Sequence, residues 1–469
     1  MKRLADVALL ESAGVPSTFS RDQLRLSPRL ALPPPTIDWG LVVTLRRRAS
    51  EEISRRAAGW EHEHGRRLNP VDRKLLGRSV IDSTVAAHVA HLGASGEALW
   101  EIETERAYAA AVEDAVFGYG RLQPLFELPE AENVELHGCD SVVVQFSDGR
   151  RVDHPPVADT DEELVEAIRF LGESAVPPRP FDDAHPTMTL ALGDRFRLHA
   201  IGFGLSYRPA VTIRQHLLTE VTLHDLVDSR MVPPELGRFL HAAVLARTSV
   251  VISGGQGAGK TTLLRALIAA IPDGERFGTL ETDYELLTHL QPARKGILAL
   301  QARAGMGETQ HGRRVGEYTV ADLIPEALRQ NLTRLIVGEV RGGEAGAMFE
   351  AMVTGAGTLS TTHSHSAAST VDRLASRVAQ GCTLTIDEAY RQIAHHLHFV
   401  VHVQLLDDTW RGGTRVRRVT EVLQLTGGVE AGRPVTHVVY RAGRHGIGSF
   451  TPDPAVAARF EQYADAWEA

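Results

Sequence analysis

Eight consecutive residues, Gly254-Gly255-Gln256-Gly257-Ala258-Gly259-Lys260-Thr261, bring together what phosphate chemistry needs. The glycines let backbone N–H groups crowd around a phosphate chain. The lysine ammonium reaches the β- and γ-phosphates, and the threonine hydroxyl ligates magnesium. Thr262 completes the expected nucleotide-binding set. The chain holds only four lysines, Lys2, Lys74, Lys260 and Lys295, and relies on arginine for its other cationic side chains. A guanidinium is too broad and forked to stand between phosphates where a compact ammonium fits. The pattern is a P-loop, and it predicts ATP and Mg2+ as ligands.

Its flanks supply the elements such a loop needs. Thr248-Ser249-Val250-Val251-Ile252-Ser253 is a short β-branched run, the pattern of a buried parallel strand. Thr261 to Ile271 has helical spacing and stops at Pro272-Asp273-Gly274. The helix N-terminus would add its dipole to the anion site.

Other residues carry candidate chemistry, each with a plainer reading. Arg334 to Val340 reads as a second buried strand ending in Glu339, where an acid can hold magnesium, directly or through water. The plainer reading is an exposed strand end. Glu281-Thr282-Asp283-Tyr284-Glu285 sets three acids after the strand Phe277–Leu280; one could orient an attacking water, or the run is a solvated loop. His363 and His365 close a third strand, Gly357–His363, as a γ-phosphate sensor or as surface histidines. Ligands of an open α/β sheet gather at the carboxyl ends of its strands, so Lys260, Glu339 and His363 should converge. Arg197 and Arg214 end strands just upstream, either as phosphate clamps or as ordinary surface charges. His395, His396, His398 and His402 straddle a helix-to-strand change with no Cys pair nearby, so no zinc is expected.

At 469 residues the chain has room for two or three domains. A net charge of −9, with no basic stretch interleaved with aromatics, gives no support to a nucleic-acid partner. Two cysteines, Cys139 and Cys382, make no disulfide framework and suit a reducing compartment. No apolar run reaches the length of a membrane span, and the start of the chain is too short and acidic for a signal peptide. Residues 1–37 form an N-terminal extension closed by Pro33-Pro34-Pro35, and 38–118 are helical by periodicity. The pattern over 119–219 is that of an α+β domain, with Val142–Phe146 and Ser147-Asp148-Gly149 as a hairpin signal. Residues 220–469 alternate strand and helix as a wound α/β sheet does.

In combination these blocks resemble the secretion ATPase superfamily of type II secretion, type IV pili and type IV secretion. They look closest to the CpaF-type ATPases of Tad/Flp pilus assembly. Gly118 to Leu125, with Val134 to Gly138, resembles the opening of the family's N-terminal domain, and Arg197 to Ala200 with Thr212 to Arg214 its pre-ATPase segments. Gly254–Thr261 is similar to its Walker A loop, Glu281–Leu286 to its Asp box, Leu335–Gly342 to its Walker B strand and Gly357–His363 to its His box. The departures are Thr282 where the Asp box usually has aspartate, Ser364-His365-Ser366 after the His box, and Asn331-Leu332 before the Walker B strand.

The resemblance implies a RecA-like P-loop NTPase domain preceded by an α+β N-terminal domain with a helical N-terminal extension. It implies a homo-hexamer at the inner face of the cytoplasmic membrane, driving an integral-membrane platform protein by ATP hydrolysis. Glu339 would take the Walker B role, Glu281 or Glu285 the catalytic acid, and Arg197 and Arg214 would reach the nucleotide from the N-terminal side. Rival readings are a type IV secretion or conjugation ATPase, a RecA-like nucleic-acid translocase, and a nucleotide-binding scaffold without turnover.

Overall fold

Three helices follow the start of the described chain, each bounded by residues suited to its ends. Asp38 and Asn69 cap the first two, Trp39–His64 and Pro70–Ser95, through their side chains, and Gly65 and Gly96 end them in the left-handed conformation. The third, Ile102–Phe117, begins three residues later than its periodicity predicts, leaving Leu99 exposed. Their apolar stripes meet in a small core of Val42, Leu45, Val80, Ile81, Val85 and Val112. A Cβ on Gly77 would lie 2.1 Å from the Phe117 ring, so a glycine is what lets helix and ring approach.

The computed structural model describes residues 37–467 apart from 176–177, 219, 292–293, 304, 306–308, 311, 343, 354–356, 382–383 and 444–447. Cys382 and all but the last residue of the 1–37 extension lie outside the described residues. The chain falls into two units, Met1–Gln123 with the three helices and Pro124–Ala469 with a six-stranded sheet, a nine-stranded sheet and a small two-stranded one.

The first sheet is antiparallel and six-stranded. Its order is Arg151–His154, Val142–Phe146, Ala131–His137, Ala210–Gln215, Phe196–Ile201 and Thr187–Leu192. The predicted hairpin at Ser147-Asp148-Gly149 joins the first two, with Gly149 at φ 93°. The helix Asp161–Ser174 accompanies this sheet and is capped by Thr160.

The second sheet has nine strands, six of them parallel. Those six run in the order Ile297–Gln301, Phe277–Glu281, Arg334–Val337, Gly357–His363, Val250–Gly254 and Phe399–Asp407. Arg415–Glu430, Arg433–Arg441 and Ser449–Phe450 extend it antiparallel. This is a RecA-like α/β domain following an α+β one. Continuous apolar runs make its central strands: all five residues of Val250–Gly254 and of Phe277–Glu281 are buried. Among the described residues no helix is long and apolar enough to cross a membrane.

Arg334 lies at the opposite end of its strand from the predicted site. It is fully buried and donates to Glu275 through Nε at 2.6 Å and Nη2 at 3.1 Å. Losing one partner of a buried pair strands the other charge. Arg334→Met is therefore expected to lower unfolding free energy by about 2–4 kcal/mol, and adding Glu275→Leu to recover part of it, as read by urea denaturation.

Candidate functional site

The strand Val250–Gly254 runs between two parallel neighbours, and its last residue leaves the sheet at a close approach. A Cβ on Gly254 would sit 2.2 Å from the Val403 carbonyl oxygen. Gly257 and Gly259 then turn the chain at φ 68° and 94°, a region that favours glycine. The helix Lys260–Ala269 follows with no side chain capping its first turn, an arrangement open to an anion. The Lys260 ammonium folds back over the loop, donating to the Gly255 carbonyl at 2.8 Å and lying 3.4 Å from His363 Nδ1. Burial lowers its pKa from the ordinary value, with Glu339 opposing. Ala258 is buried beneath the loop, whereas Gly255 and Gln256 face outward.

Glu339 stands two residues past the end of its strand, which stops at Val337 and not at Val340. The backbone on both sides of it is held from the neighbouring strand: Thr361 Oγ1 donates to the Gly338 carbonyl at 2.7 Å and Thr362 Oγ1 to that of Val340 at 3.0 Å. One Glu339 oxygen takes Arg341 at 2.6 Å. The other lies 3.0 Å from His363 Nε2, too poorly aligned for a hydrogen bond. Burial and then Lys260 hold the His363 pKa below 6.5, so its imidazole is neutral at pH 7.

Arg197 and Arg214 were expected at strand ends. Arg197 is instead the second residue of Phe196–Ile201, and Arg214 is the next to last of Ala210–Gln215. Because the strands are antiparallel, the two are direct cross-strand partners on one face. Arg197 grips the acid cluster, donating to Asp283 at 2.8 Å and to Glu285. The usual aspartate position holds Thr282, and the next residue, Asp283, makes that ion pair.

The two glutamates of this turn differ in surroundings. Glu281 is 3% exposed, and one of its oxygens accepts the backbone N–H of Glu285 at 2.9 Å and of Leu286 at 2.8 Å. Burial nonetheless pushes its pKa up to about 8. For Glu285 burial pulls the same way, but Arg197 and Arg214 outweigh it and keep its pKa below the ordinary value. Glu285, Thr261, Glu339 and Arg197 line a cavity of about 30 Å³, room for a water or a small hydrated group. A larger cavity of about 970 Å³ opens beside Gly257, Gly259, Thr262 and Arg214.

A family model described as type II/IV secretion system protein matches residues 146–451. The chain belongs to that family. A Mycobacterium tuberculosis protein named for conjugal transfer is 30% identical over 324 residues, covering 66% of this chain and 84% of the relative. VirB11 of Agrobacterium fabrum is 34% identical over 154 residues, covering 32% of this chain and 42% of that protein. The crystal structure of the Brucella suis VirB11 ATPase aligns at 24% identity over 66% of this chain and 96% of that one, with a TM-score of 0.34. In this secretion-family chain the residue assignments therefore rest on its own geometry. The Tad/Flp grouping expected from the sequence is a finer division within the family.

Sequence reasoning missed Arg265, an arginine inside the apolar helix that follows the P-loop. It is 7% exposed and donates to the Leu218 carbonyl at 2.7 Å and to the Glu285 carbonyl, tying that helix to the acid turn. Its signal was one cation in the run Leu263–Ile271. The histidine cluster comes apart in space: His398 Nδ1 accepts the Ser249 N–H at 3.1 Å, and His402 Nδ1 meets Ser253 Oγ at 2.9 Å.

The native Glu281 carboxyl holds its proton more tightly than the unfolded chain, where the value is 4.5. Its contribution to stability is therefore complete below about pH 4.5 and is lost as pH rises through about 8. Glutamine copies the protonated form. Melting temperatures taken from about pH 5 to 8.5 are expected to fall less steeply for Glu281→Gln than for the natural protein.

Proposed function

We propose that the protein is an ATP-hydrolysing motor of a secretion or pilus machine. It would work as a homo-hexamer at the inner face of the cytoplasmic membrane, against an integral-membrane platform protein. The observation that carries this reading is the convergence of Lys260, Glu339, His363 and the Arg197–Asp283–Glu285 cluster on one end of the parallel sheet.

The P-loop N–H groups and Lys260 would hold the phosphates. His363 would face the terminal phosphate as a neutral donor. Thr261 and Glu339 suit Mg2+: a hydroxyl and a carboxylate with an unpartnered oxygen border the small cavity. The metal would neutralise phosphate charge when bound, with Glu339 reaching it through water. Of the two acid candidates, Glu285 is the better base. It stays ionised, whereas buried Glu281 is largely protonated at pH 7 and occupied in bracing the turn. Arg197 and Arg214 would complete the site from the N-terminal sheet, with Arg197 exchanging its carboxylate partners for phosphate.

Two settings for the motor fit. The sequence blocks support Tad/Flp pilus assembly, and the names of the relatives support type IV secretion or conjugal transfer. Neighbouring genes separate them: pilin and platform genes, or a coupling protein and a relaxase. Phosphate release is expected to fall at least about a hundredfold in Lys260→Ala and in Glu339→Gln. Light scattering with ATP should report a ring-sized species. A wild-type protein that binds ATP without releasing phosphate would make it a scaffold, and DNA-stimulated, salt-sensitive turnover would make it a translocase.

A further inference from the structure

Glu132 belongs to the first sheet, yet its carboxylate is bound by two arginines of the second. Arg417 Nη2 donates to one oxygen at 2.6 Å and Arg415 Nη1 to the other at 3.1 Å. The aim of Glu132 has a local cause. Its strand pairs regularly with Val142–Phe146 until the register shifts between Asn133 and Ala131, with Glu132 as the residue inside the irregularity. A bulge of this kind redirects a side chain that strict alternation would place elsewhere. The Glu132 side chain is 14% exposed and that of Arg415 is 6%, so the contact is shielded from solvent. The third contact of the group lies in the nucleotide loop itself: Arg417 Nε donates to the Gly257 carbonyl at 2.8 Å.

A loop that binds phosphate through its N–H groups must turn its carbonyls away, and each carbonyl so turned needs a donor. Gly257, at φ 68°, sits in the left-handed region that favours glycine. Its carbonyl is the one Arg417 holds. The neighbouring Gly255 carbonyl takes Lys260 Nζ, a donor that phosphate would claim. We propose that Glu132 and Arg417 are a positioning pair for the nucleotide loop, in which the carboxylate from the first sheet fixes the guanidinium that orients the Gly257 peptide. The proposal rests on the reading of Gly254–Thr261 as a nucleotide site. Glu132 is argued to act through Arg417, so its role is that of a positioning residue. The guanidinium is suited to the task because two of its N–H groups point at two acceptors at once; a lysine ammonium on its longer stem has no such fork.

The test is fluorescent ADP binding, with ATPase kinetics and melting temperature measured on the same full-length samples. Glu132→Ala and Arg417→Ala are each expected to raise the Kd and KM about tenfold while kcat stays within about threefold, because the loop is loosened and the reacting groups are untouched. In the double variant the effects should not add, since either change alone breaks the relay. Arg417→Lys should bind as weakly as Arg417→Ala. If lysine restores binding, the arginine acts as a bare charge near the nucleotide and the proposal fails. It also fails if Glu132→Ala binds ADP like the natural protein, or if the two single effects add in full. Glu132→Gln guards against misfolding: it keeps the shape and one acceptor, and its Kd should fall between natural protein and alanine variant. A natural protein that binds no nucleotide would overturn the functional reading, whereas one that binds equally well without Glu132 would overturn this inference alone.

Discussion

The Gly254 backbone and the Val403 carbonyl share a space that admits no side chain. The strand that ends there pairs with Gly357–His363 on one side and Phe399–Asp407 on the other, in a register that sets Gly254 beside both His363 and Val403. That placement is why the loop emerges within reach of a histidine from one neighbour and an acid from the strand beyond. The helix that follows must start where the loop lets it. A residue with a Cβ at 254 would push the two strands apart and move the loop with them. Lys260 would lose its footing on Gly255, and the separation between Lys260 and His363 would no longer be fixed by the sheet.

Around this fixed point, environment divides the labour among chemically similar groups. Glu281 and Glu285 are four residues apart on one turn, with the same carboxyl chemistry. One is sealed under the turn and keeps its proton. The other faces two arginines and loses it. Glu339 gains its direction from two threonine hydroxyls that hold the peptides before and after it, so an acid beyond the end of a strand is as well aimed as one within it. Arg265 joins these parts by spanning from the P-loop helix to the Glu285 carbonyl, so the acid turn and the phosphate loop are tied through one buried side chain.

Much of this was legible in the sequence where information is local. The P-loop, its strand and helix, the Gly357–His363 strand and the Ser147–Gly149 hairpin are written in runs of a few residues, and burial of both sheet faces makes those runs apolar. The end of the Arg334 strand was overestimated because buried Val340 resumes the apolar run after regular pairing has stopped at Val337. Arg197 and Arg214 were found as residues but not as a pair, since strand direction decides that they face each other. Arg417 was invisible for a stronger reason: its partners, Gly257 and Glu132, are 160 and 285 positions away in the chain, and no spacing rule spans such distances. The histidine run was read correctly for a local reason, because the helix-to-strand change that it straddles sends His398 and His402 to different partners.

The bias toward arginine takes on physical meaning at these positions. With 50 basic residues and four lysines, the chain has 46 arginines, and several of them act as braces. Arg265, Arg334 and Arg417 each hold two acceptors at once, which a fork of N–H groups can do without moving. A brace must not let go. In the proposed motor, position 260 asks for the opposite property, because its cation would leave Gly255 when phosphate arrives and return when phosphate departs. A single rotatable ammonium with one short hydrogen bond to give up is suited to that exchange, and a guanidinium bound at two points is not. Arginine at 265, 334 and 417 and lysine at 260 thus fit one distinction, between side chains that stay in place and one that would move.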